Sequence, residues 1–387
     1  MEPTSFSELR LLAPARILVG AGCRRELPAL LAAAGHSSPL VVIDPRLGAA
    51  AALQDLLALL VRDGRAPAIC DEVPGEPYVE TAEAIAQRIR SGGHDAVVAV
   101  GGGSVIDAAK GAALSATNPG RLVDYEGLDQ FGVSPLPVYA LPTTAGTGSE
   151  VTRVAVLGAT NPVRKISVKG ARLVPVAALV DPDFLRSVPP RVAAAAAADA
   201  LTHALESFLR PASSPVSRAL GIRAATMILR VMDAGAGFNA PNHLADLATA
   251  SMLAGLAFGN SDVGPVHCLA ESVGAVYKAP HGAANAVFLG PTLRYYGTGV
   301  VPPLAEVARS AWPGRLGLAA DVEAATALIR AVSEFVAGAG IGTPLSLCGG
   351  AIDVELIADL ARNNNSNASG PVPMDVADYR RILQGLL

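Results

Sequence analysis

The chain contains one carboxylate and three histidines whose types and spacing suit a site for a divalent transition metal: Asp199, His203, His267 and His281. The first two are four residues apart in AAAAAADALTHALESFL, a run with high helical propensity, so their side chains lie on one helix face. His267 follows a glycine break, and His281 opens a Pro-His-Gly turn fourteen residues later. Carboxylate and imidazole groups are ligands for Fe(II) or Zn(II). If the four side chains converge, the chain is an enzyme.

Histidines often have purely structural roles, and we interpret the three others in this way: His36, His94 and His243. The Asp199/His203 pair taken alone also fits a solvated pair on a helix surface. The segment GPVHCLAESVGAVYKAPHGAANAV favours the metal site, because polar groups among so many apolar residues are costly to bury unless they are paired or ligated.

A glycine-rich turn separates a strand-like run from a helix-like run in AVVAVGGGSVIDAAKGAAL. Its residues are Gly101, Gly102, Gly103 and Ser104. Glycines let the backbone approach a phosphate closely, and a helix N-terminus offers free N–H groups and the positive end of the helix dipole. The turn therefore suits a pyrophosphate, although it does not follow the GxGxxG pattern. A tight turn without a ligand fits this motif equally well.

A second loop, PTTAGTGSE, makes a nucleotide site the better interpretation of the first half of the chain. It places hydroxyl groups beside flexible glycines, at Thr143, Thr144, Thr147 and Ser149. Hydroxyl groups both donate and accept hydrogen bonds, which suits contacts to sugar and phosphate.

Asp44 ends an apolar strand early in the chain, where a carboxylate can accept hydrogen bonds from ribose hydroxyls. The same charge would repel a 2′-phosphate, so Asp44 favours NAD over NADP. Arg46 lies two residues further on and weakens that preference. A plain turn at the end of the strand is the alternative interpretation of Asp44.

The bulk composition excludes several classes of protein. Of 387 residues, 51% are hydrophobic, and the net charge of −4 is spread without a basic run, which argues against nucleic-acid binding. The sequence shows neither an apolar stretch long enough to span a membrane nor a signal peptide. The four cysteines are scattered, without a CxxC pair. These features predict a cytoplasmic protein without disulfides.

Strand-like and helix-like segments alternate in the first half of the chain, from RILVG to LPVYALPTTAGTGS. Apolar strands alternating with helices predict a parallel sheet that is covered on both faces. After LVPVAALVDPDFLRSVPP the sequence is mostly alanine- and leucine-rich helix broken by glycine and proline. We therefore predict a Rossmann-like α/β nucleotide-binding domain over residues 1–182 and an all-α domain over residues 183–387.

Taken together, these segments resemble the iron-containing (group III) alcohol dehydrogenase family. The resemblance extends over nearly the whole chain, through PARILVGAG, GGGSVIDAAK, LPTTAGTGSEVT, LVDPDFLRSVPP, ADALTHALESF and GPVHCLAESVG…PHGAANAV. The spacing between the blocks also fits. The resemblance implies the two-domain architecture of dehydroquinate synthase-like proteins, with the active site in the cleft between an α/β domain and a helical metal-binding domain.

The resemblance also implies roles for individual residues. The four residues of the metal motif correspond to the family's ligands, one for one. The two glycine loops correspond to its cofactor loops, with Asp107 and Lys110 completing the first motif. Lys165, ten residues before Pro175, corresponds to a lysine that contacts the cofactor, and Asp44 to the residue that discriminates NAD from NADP.

Two departures from the family pattern bear on the substrate. Relatives often carry a second histidine four residues after the third metal ligand, and here that position is Glu271. Glu271 shares the metal-facing side of its helix with His267, and we assign both to catalysis. Its alternative roles are proton relay, fifth metal ligand and shaping of the substrate pocket. The second departure is the tail NNNSNASGPVP, which replaces an Asn-Pro-Arg-like motif.

The expected reaction is reversible hydride transfer between NAD(H), or NADP(H), and an alcohol/aldehyde pair, assisted by Fe(II) or Zn(II). Alternatives within the same fold are a maleylacetate reductase-like enzyme and a lyase related to dehydroquinate synthase, against which the PTTAGTGSE loop argues. A catalytically inactive nucleotide-binding module is the alternative from another class. The family resemblance also implies a homodimer or a larger homo-oligomer.

Overall fold

The computed structural model describes residues 11–73, 75–160, 163–234 and 240–387. Its strands, in chain order, are β1 (Arg16–Val19), β2 (Pro39–Ile43), β3 (Ala68–Cys70), β4 (Ala96–Gly101), β5 (Gly127–Leu128), β6 (Val138–Pro142), β7 (Val154–Thr160), β8 (Val163–Lys169) and β9 (Ala177–Val180). Within these residues, no helix is both long enough and apolar enough to cross a membrane.

The helices before and around the sheet are α1 (Leu27–Ala33), α2 (Ala51–Arg62), α3 (Val79–Gly92) and α4 (Gly103–Thr117). The helices that follow are α5 (Pro190–Leu209), α6 (Pro215–Asp233), α7 (Pro241–Gly259), α8 (Pro265–Tyr277), α9 (His281–Tyr296), α10 (Val301–Ala311), α11 (Pro313–Leu316), α12 (Asp321–Gly338), α13 (Pro344–Leu347), α14 (Val354–Arg362) and α15 (Val376–Gln384). The predicted succession of a helix-covered parallel sheet and a mostly helical region is therefore confirmed.

Six strands form one parallel sheet in the order β1-β9-β6-β4-β2-β3. The strands β2, β4 and β6 are fully buried along their length, which explains their nearly continuous apolar sequences. They are neighbours in the sheet and run in the same direction, so the loops that follow them meet at one edge. Ligands of open α/β sheets bind at such carboxyl edges.

A second, three-stranded sheet was not among the predicted elements. It has the order β5-β8-β7, and β7 and β8 pair antiparallel from Val154–Lys169 to Thr160–Val163. Buried and partly buried residues alternate along β7, as expected for a strand with one face on the core. This alternation is weak in the sequence because Gly158 interrupts it.

The long helix α5 lies at the centre of the helical region, where it packs against α6, α7 and α9. Its many alanines allow this close packing, and every residue from Ala197 to Leu209 is buried. The same apolar core continues to Ala178 and Val180 of β9 and to Ala145 and Val151 in the loops beside the sheet. The division of the chain at residue 182 therefore remains a prediction, although β9 ends at Val180 and α5 begins at Pro190.

Candidate metal centre and cofactor loops

Helix α5 presents Asp199 and His203 on the same face, one turn apart. The helix begins at Pro190, a residue suited to a first helical position, and continues through the alanine run that the sequence indicated. Both side chains are almost completely buried, with 2% and 4% of each residue exposed. Groups as polar as these are seldom buried without partners, so their surroundings must compensate for the loss of water.

Helices α8 and α9 bring the other two histidines to the same place. Gly264 precedes α8, which positions His267 near the start of that helix, while His281 is the first residue of α9. His267 Nε2 lies 4.0 Å from Asp199 Oδ1, and His281 Nε2 lies 3.7 Å from the same oxygen. One ligand atom from each of the four residues lies within 4.8 Å of all the others.

The properties of this cluster fit a divalent metal. His267 Nε2 is buried and has no hydrogen-bond partner among the described residues, which leaves its lone pair or proton uncompensated unless a ligand is present. Burial lowers the pKa of His203 to about 3, and a neutral imidazole is the form that binds a metal. Burial would raise the pKa of Asp199, but the neighbouring histidines and Asn285 lower it, so the carboxylate stays charged.

Two residues that the sequence analysis missed hold this cluster in place. Glu206 on α5 lies with its Oε2 atom 2.5 Å from His267 Nδ1. The same carboxylate accepts hydrogen bonds from the backbone amides of Gly264, at 2.8 Å, and Val266, at 2.7 Å. Asn285 on α9, completely buried, donates from Nδ2 to Asp199 Oδ1 at 2.7 Å. The available signal was spacing, because Glu206 lies three residues after His203 and Asn285 four after His281.

The two glycine loops meet at the carboxyl edge of the sheet, as their positions after β4 and β6 require. Gly103 is the first residue of α4, whose N-terminus has no side-chain cap. A Cβ atom on Gly103 would lie 2.7 Å from Thr147 Cγ2, and one on Gly102 would lie 3.1 Å from Thr144 Oγ1. The backbone of the first loop thus packs directly on threonines of the second, and the uncapped N–H groups of α4 remain available to a phosphate.

The second loop also packs on the helical region through Gly148. This glycine has a φ of +62°, in the left-handed region that favours glycine, and a Cβ on it would lie 2.5 Å from the Cα atom of Gly255 on α7. A glycine on each side is therefore needed for the contact between this loop and α7.

The remaining polar groups of the loops are held by neighbours. Thr143 donates its backbone N–H to Gly101 O at 3.0 Å, and Thr147 Oγ1 accepts a hydrogen bond from the amide of Ser149 at 3.3 Å. Ser104 Oγ donates to Gly75 O at 2.6 Å. Lys165 on β8 forms an ion pair of 3.1 Å with Glu76.

Asp107 and Lys110 face β7 rather than the open side of the loop. Asp107 Oδ2 accepts the amide hydrogen of Val156, at 3.0 Å. Lys110 is completely buried and donates from Nζ to the carbonyl oxygens of Thr152 and Val154, each at 2.9 Å. Burial lowers the pKa of Lys110 to about 8. Both side chains connect α4, which follows the first glycine loop, to β7 of the second sheet.

Asp44 follows β2, and its carboxylate accepts hydrogen bonds from the backbone amide and the guanidinium group of Arg46. The guanidinium Nε lies 2.9 Å from Oδ1, and an Nη atom lies 2.6 Å from Oδ2. Burial would raise the pKa of Asp44, but the bonds from Arg46 lower it, so the group is an anion. Arg46, which the sequence predicts to weaken the preference for NAD, therefore forms an ion pair with Asp44.

Glu271 lies on α8 one turn after His267, as predicted, and is partly buried. Its Oε2 atom accepts a hydrogen bond of 2.6 Å from Asn364 Nδ2. The tail predicted as a polar loop contains a short 3₁₀ turn, Asn365–Ser369, in which Asn367 is buried. Tyr379 on α15 donates to Asn367 Oδ1 at 2.6 Å. The two departures from the family pattern are therefore in direct contact with each other.

Comparison with known proteins supports the resemblance that the motifs suggested. A family model described as iron-containing alcohol dehydrogenase matches residues 14–182, and the model of the C-terminal part of the Fe-containing alcohol dehydrogenase family matches residues 193–387. A long-chain-alcohol dehydrogenase of Geobacillus thermodenitrificans is 34% identical, over 98% of this chain and 97% of its own. An NAD-dependent methanol dehydrogenase of Bacillus methanolicus is 29% identical, over 97% and 98%.

The fold gives the same result. A crystal structure of a 1,3-propanediol oxidoreductase superposes with a TM-score of 0.93 at 30% identity, over 98% of this chain and 100% of the other. The relatives are alcohol and aldehyde oxidoreductases, in agreement with NAD-dependent hydride transfer. The chain belongs to the iron-containing alcohol dehydrogenase family.

Proposed function

We propose that this protein transfers a hydride reversibly between NAD(H) and an alcohol/aldehyde pair, at a site that includes Asp199, His203, His267 and His281. The observation that carries the proposal is the convergence of four metal-type ligand atoms within 4.8 Å. Fe(II) is the metal that we propose, because the family is iron-containing, and Zn(II) suits the same ligands. When bound there, the ion supplies a Lewis acid that polarises the oxygen of the substrate.

Neighbouring side chains hold the four metal-type residues in place for this reaction. We propose that Glu206 holds His267 with Nε2 directed at the other ligands, and that Asn285 holds Asp199. The burial of these groups excludes water and keeps their charges and dipoles effective. His267 and Glu271 are the residues that we assign to the substrate side, and Glu271 offers a carboxylate oxygen there that can accept a proton.

The cofactor is proposed to bind with its pyrophosphate at the N-terminus of α4, along Gly101, Gly102, Gly103 and Ser104. Further proposed cofactor contacts are Asp107, Thr143, Thr144, Thr147, Ser149 and Lys165, and Lys110 completes the first motif. Asp44 would accept the ribose hydroxyls, which favours NAD. NADP remains the alternative because Arg46 is next to Asp44 and can reach a phosphate.

The experiment that tests this function combines metal analysis with turnover. The purified protein is assayed for bound Fe and Zn and for NADH- and NADPH-dependent reduction of an aldehyde panel, with and without added Fe(II) or Zn(II). His267→Ala is expected to lose both metal retention and turnover, while His36→Ala, outside the site, keeps both. Full activity of His267→Ala would contradict the proposed site.

The same assay distinguishes the alternatives. A chain that binds NADH but reduces no aldehyde under any metal condition would be an inactive nucleotide-binding module. Reduction of maleylacetate in preference to every aldehyde would indicate a maleylacetate reductase. Formation of a product without net change in NADH would indicate a lyase.

We further propose a homodimer or larger homo-oligomer located in the cytoplasm, with small alcohols and aldehydes as its ligands. All four cysteines are free, as suits a reducing compartment. Light scattering of the purified protein tests the assembly, and a single species of monomer mass would contradict it.

A further inference from the structure

The two places where this chain departs from its family form one structural unit. Glu271 lies on α8, a single turn after His267, and therefore faces the same side of the helix. Asn364 lies just after α14 ends at Arg362. The hydrogen bond of 2.6 Å from Asn364 Nδ2 to Glu271 Oε2 connects the helix to the tail.

The tail segment is itself fixed to the start of α8, so the position of Asn364 is well defined. Asn364 Oδ1 accepts the amide hydrogen of Ser366 at 2.9 Å. Ser369 Oγ donates to Asp262 Oδ2 at 2.7 Å, and Asp262 lies two residues before Gly264, the glycine that precedes α8. Asn364 is thus held in a tail segment that is tied to the residues before α8, and its amide orients the Glu271 carboxylate.

The charge of Glu271 is compensated only in part. Its described neighbours include no lysine or arginine within ion-pair distance, and its hydrogen bond comes from a neutral amide. The side chain is partly buried, where a carboxylate loses part of its hydration. Because Glu271 lies one turn after His267 on α8, its charge is on the side of that helix where the metal cluster lies.

We propose that Glu271, oriented by Asn364, selects alcohols that carry a cationic ammonium group a few atoms from the carbinol carbon. One carboxylate oxygen, Oε2, is held by Asn364, and the other accepts no hydrogen bond from the described residues, which leaves it for the substrate in this proposal. An ammonium group there would supply the missing countercharge, whereas a carboxylate would be repelled. This inference rests on the proposed function, since it concerns the substrate of the same site.

The test is a series of alcohols of similar size that differ in charge: 4-amino-1-butanol, 1,4-butanediol, 1-pentanol and 4-hydroxybutyrate. Initial rates of NADH formation give kcat/KM for each. We expect the amino alcohol to be the best substrate and the acid to be the worst. Glu271→Gln keeps the shape and can still accept the bond from Asn364, so it should reduce the ratio of amino alcohol to pentanol about tenfold or more, chiefly through KM.

Asn364→Ala tests whether Asn364 is a positioning residue. It should lower the same ratio by a smaller factor than Glu271→Gln, because the charge remains but its direction is no longer fixed. Asn363→Ala is the matched control, since that neighbouring asparagine is exposed and its amide donates to Asp359 instead. Thermal unfolding of each variant verifies that it is folded.

The possible results separate this inference from the proposed function. If the wild-type protein oxidises none of the four alcohols and reduces no aldehyde, the proposed function fails. If it turns over pentanol and the amino alcohol equally well, or if Glu271→Gln leaves their ratio unchanged, the function stands and the role of Glu271 is overturned.

Discussion

Glu206 and His267 are joined across two helices by a contact of 2.5 Å between Oε2 and Nδ1. The Glu206 carboxylate also accepts the amides of Gly264 and Val266, at the start of the helix that carries the histidine. The Glu206 side chain therefore fixes both the imidazole ring of His267 and the backbone at the start of α8. Because Nδ1 is occupied by Glu206, Nε2 is the nitrogen that faces Asp199.

Replacing Glu206 with Gln should weaken metal binding by about ten- to a hundredfold, because partners of metal-ligating histidines have effects of this size. A glutamine keeps the volume but carries no charge and offers a single acceptor oxygen. The measurement is the affinity for Fe(II) or Zn(II) by competition with a chelator, on protein whose folding is verified by circular dichroism. An unchanged affinity would contradict a positioning role for Glu206.

Replacing Asp44 with Ser should raise the efficiency with NADP relative to NAD about tenfold or more, since a hydrogen bond to a charged group is worth about 1.5–3 kcal/mol. The change removes the anion and releases Arg46 from its bonds to Asp44. The measurement is kcat/KM for both cofactors with one aldehyde. If the gain comes from Arg46, Arg46→Ala in the same background should abolish it.

Replacing Gly103 with Ala should weaken NADH binding about tenfold, because overpacking of this size costs about 1–3 kcal/mol. The new Cβ would lie 2.7 Å from Thr147 Cγ2, so the two loops would have to separate. Gly132→Ala is the control, since a Cβ there meets nothing within 4 Å. Titration of NADH fluorescence gives the affinity, and equal values for the two variants would disprove the contact's importance.

Glu150 is buried in the loop that follows β6. We expect its contribution to the free energy of unfolding to fall as the pH rises from about 5 to 7.5. Burial raises its pKa from the ordinary 4.5 to about 7, so in this window the folded state holds a proton that the unfolded state has lost. The stabilisation is complete below 4.5 and disappears as the pH passes 7. The free energy of unfolding, measured with denaturant, should fall between pH 5 and 7.5 by about 1–3 kcal/mol more in the wild type than in Glu150→Gln. Parallel curves would exclude the shift.

The parts of the fold that follow from local pattern could be predicted. Buried strands such as β2 and β4 are nearly all apolar, and α5 has a long alanine run, so their types and approximate ends were evident. The pairing of β7 with β8 was not, because charged residues alternate with apolar ones in VRKISVK and resemble an exposed loop. The order of strands in the sheet depends on contacts between distant segments.

The site divides in the same way. The spacing of Asp199 and His203 places them on one helix face, and Glu206 also has a helical spacing from His203. The contact of Glu206 with the start of α8 becomes evident only when α8 is placed against it. Lys110 was expected to complete a cofactor motif, which stays a prediction, and its ammonium group donates to the carbonyls of Thr152 and Val154. Hydrogen bonds between elements distant in sequence have no local signature.

Because Gly148 and Gly255 connect the loop after β6 to α7, we expect changes at this contact to alter cofactor affinity. These residues meet backbone to backbone, and a Cβ on Gly255 would lie 2.8 Å from the Cα of Gly148. Replacing Gly255 with Ala would therefore displace the loop that follows β6, although the added methyl group lies on α7. Substitutions inside the helical region, at positions such as Gly255, are thus a way to adjust the affinity for the cofactor during evolution or engineering.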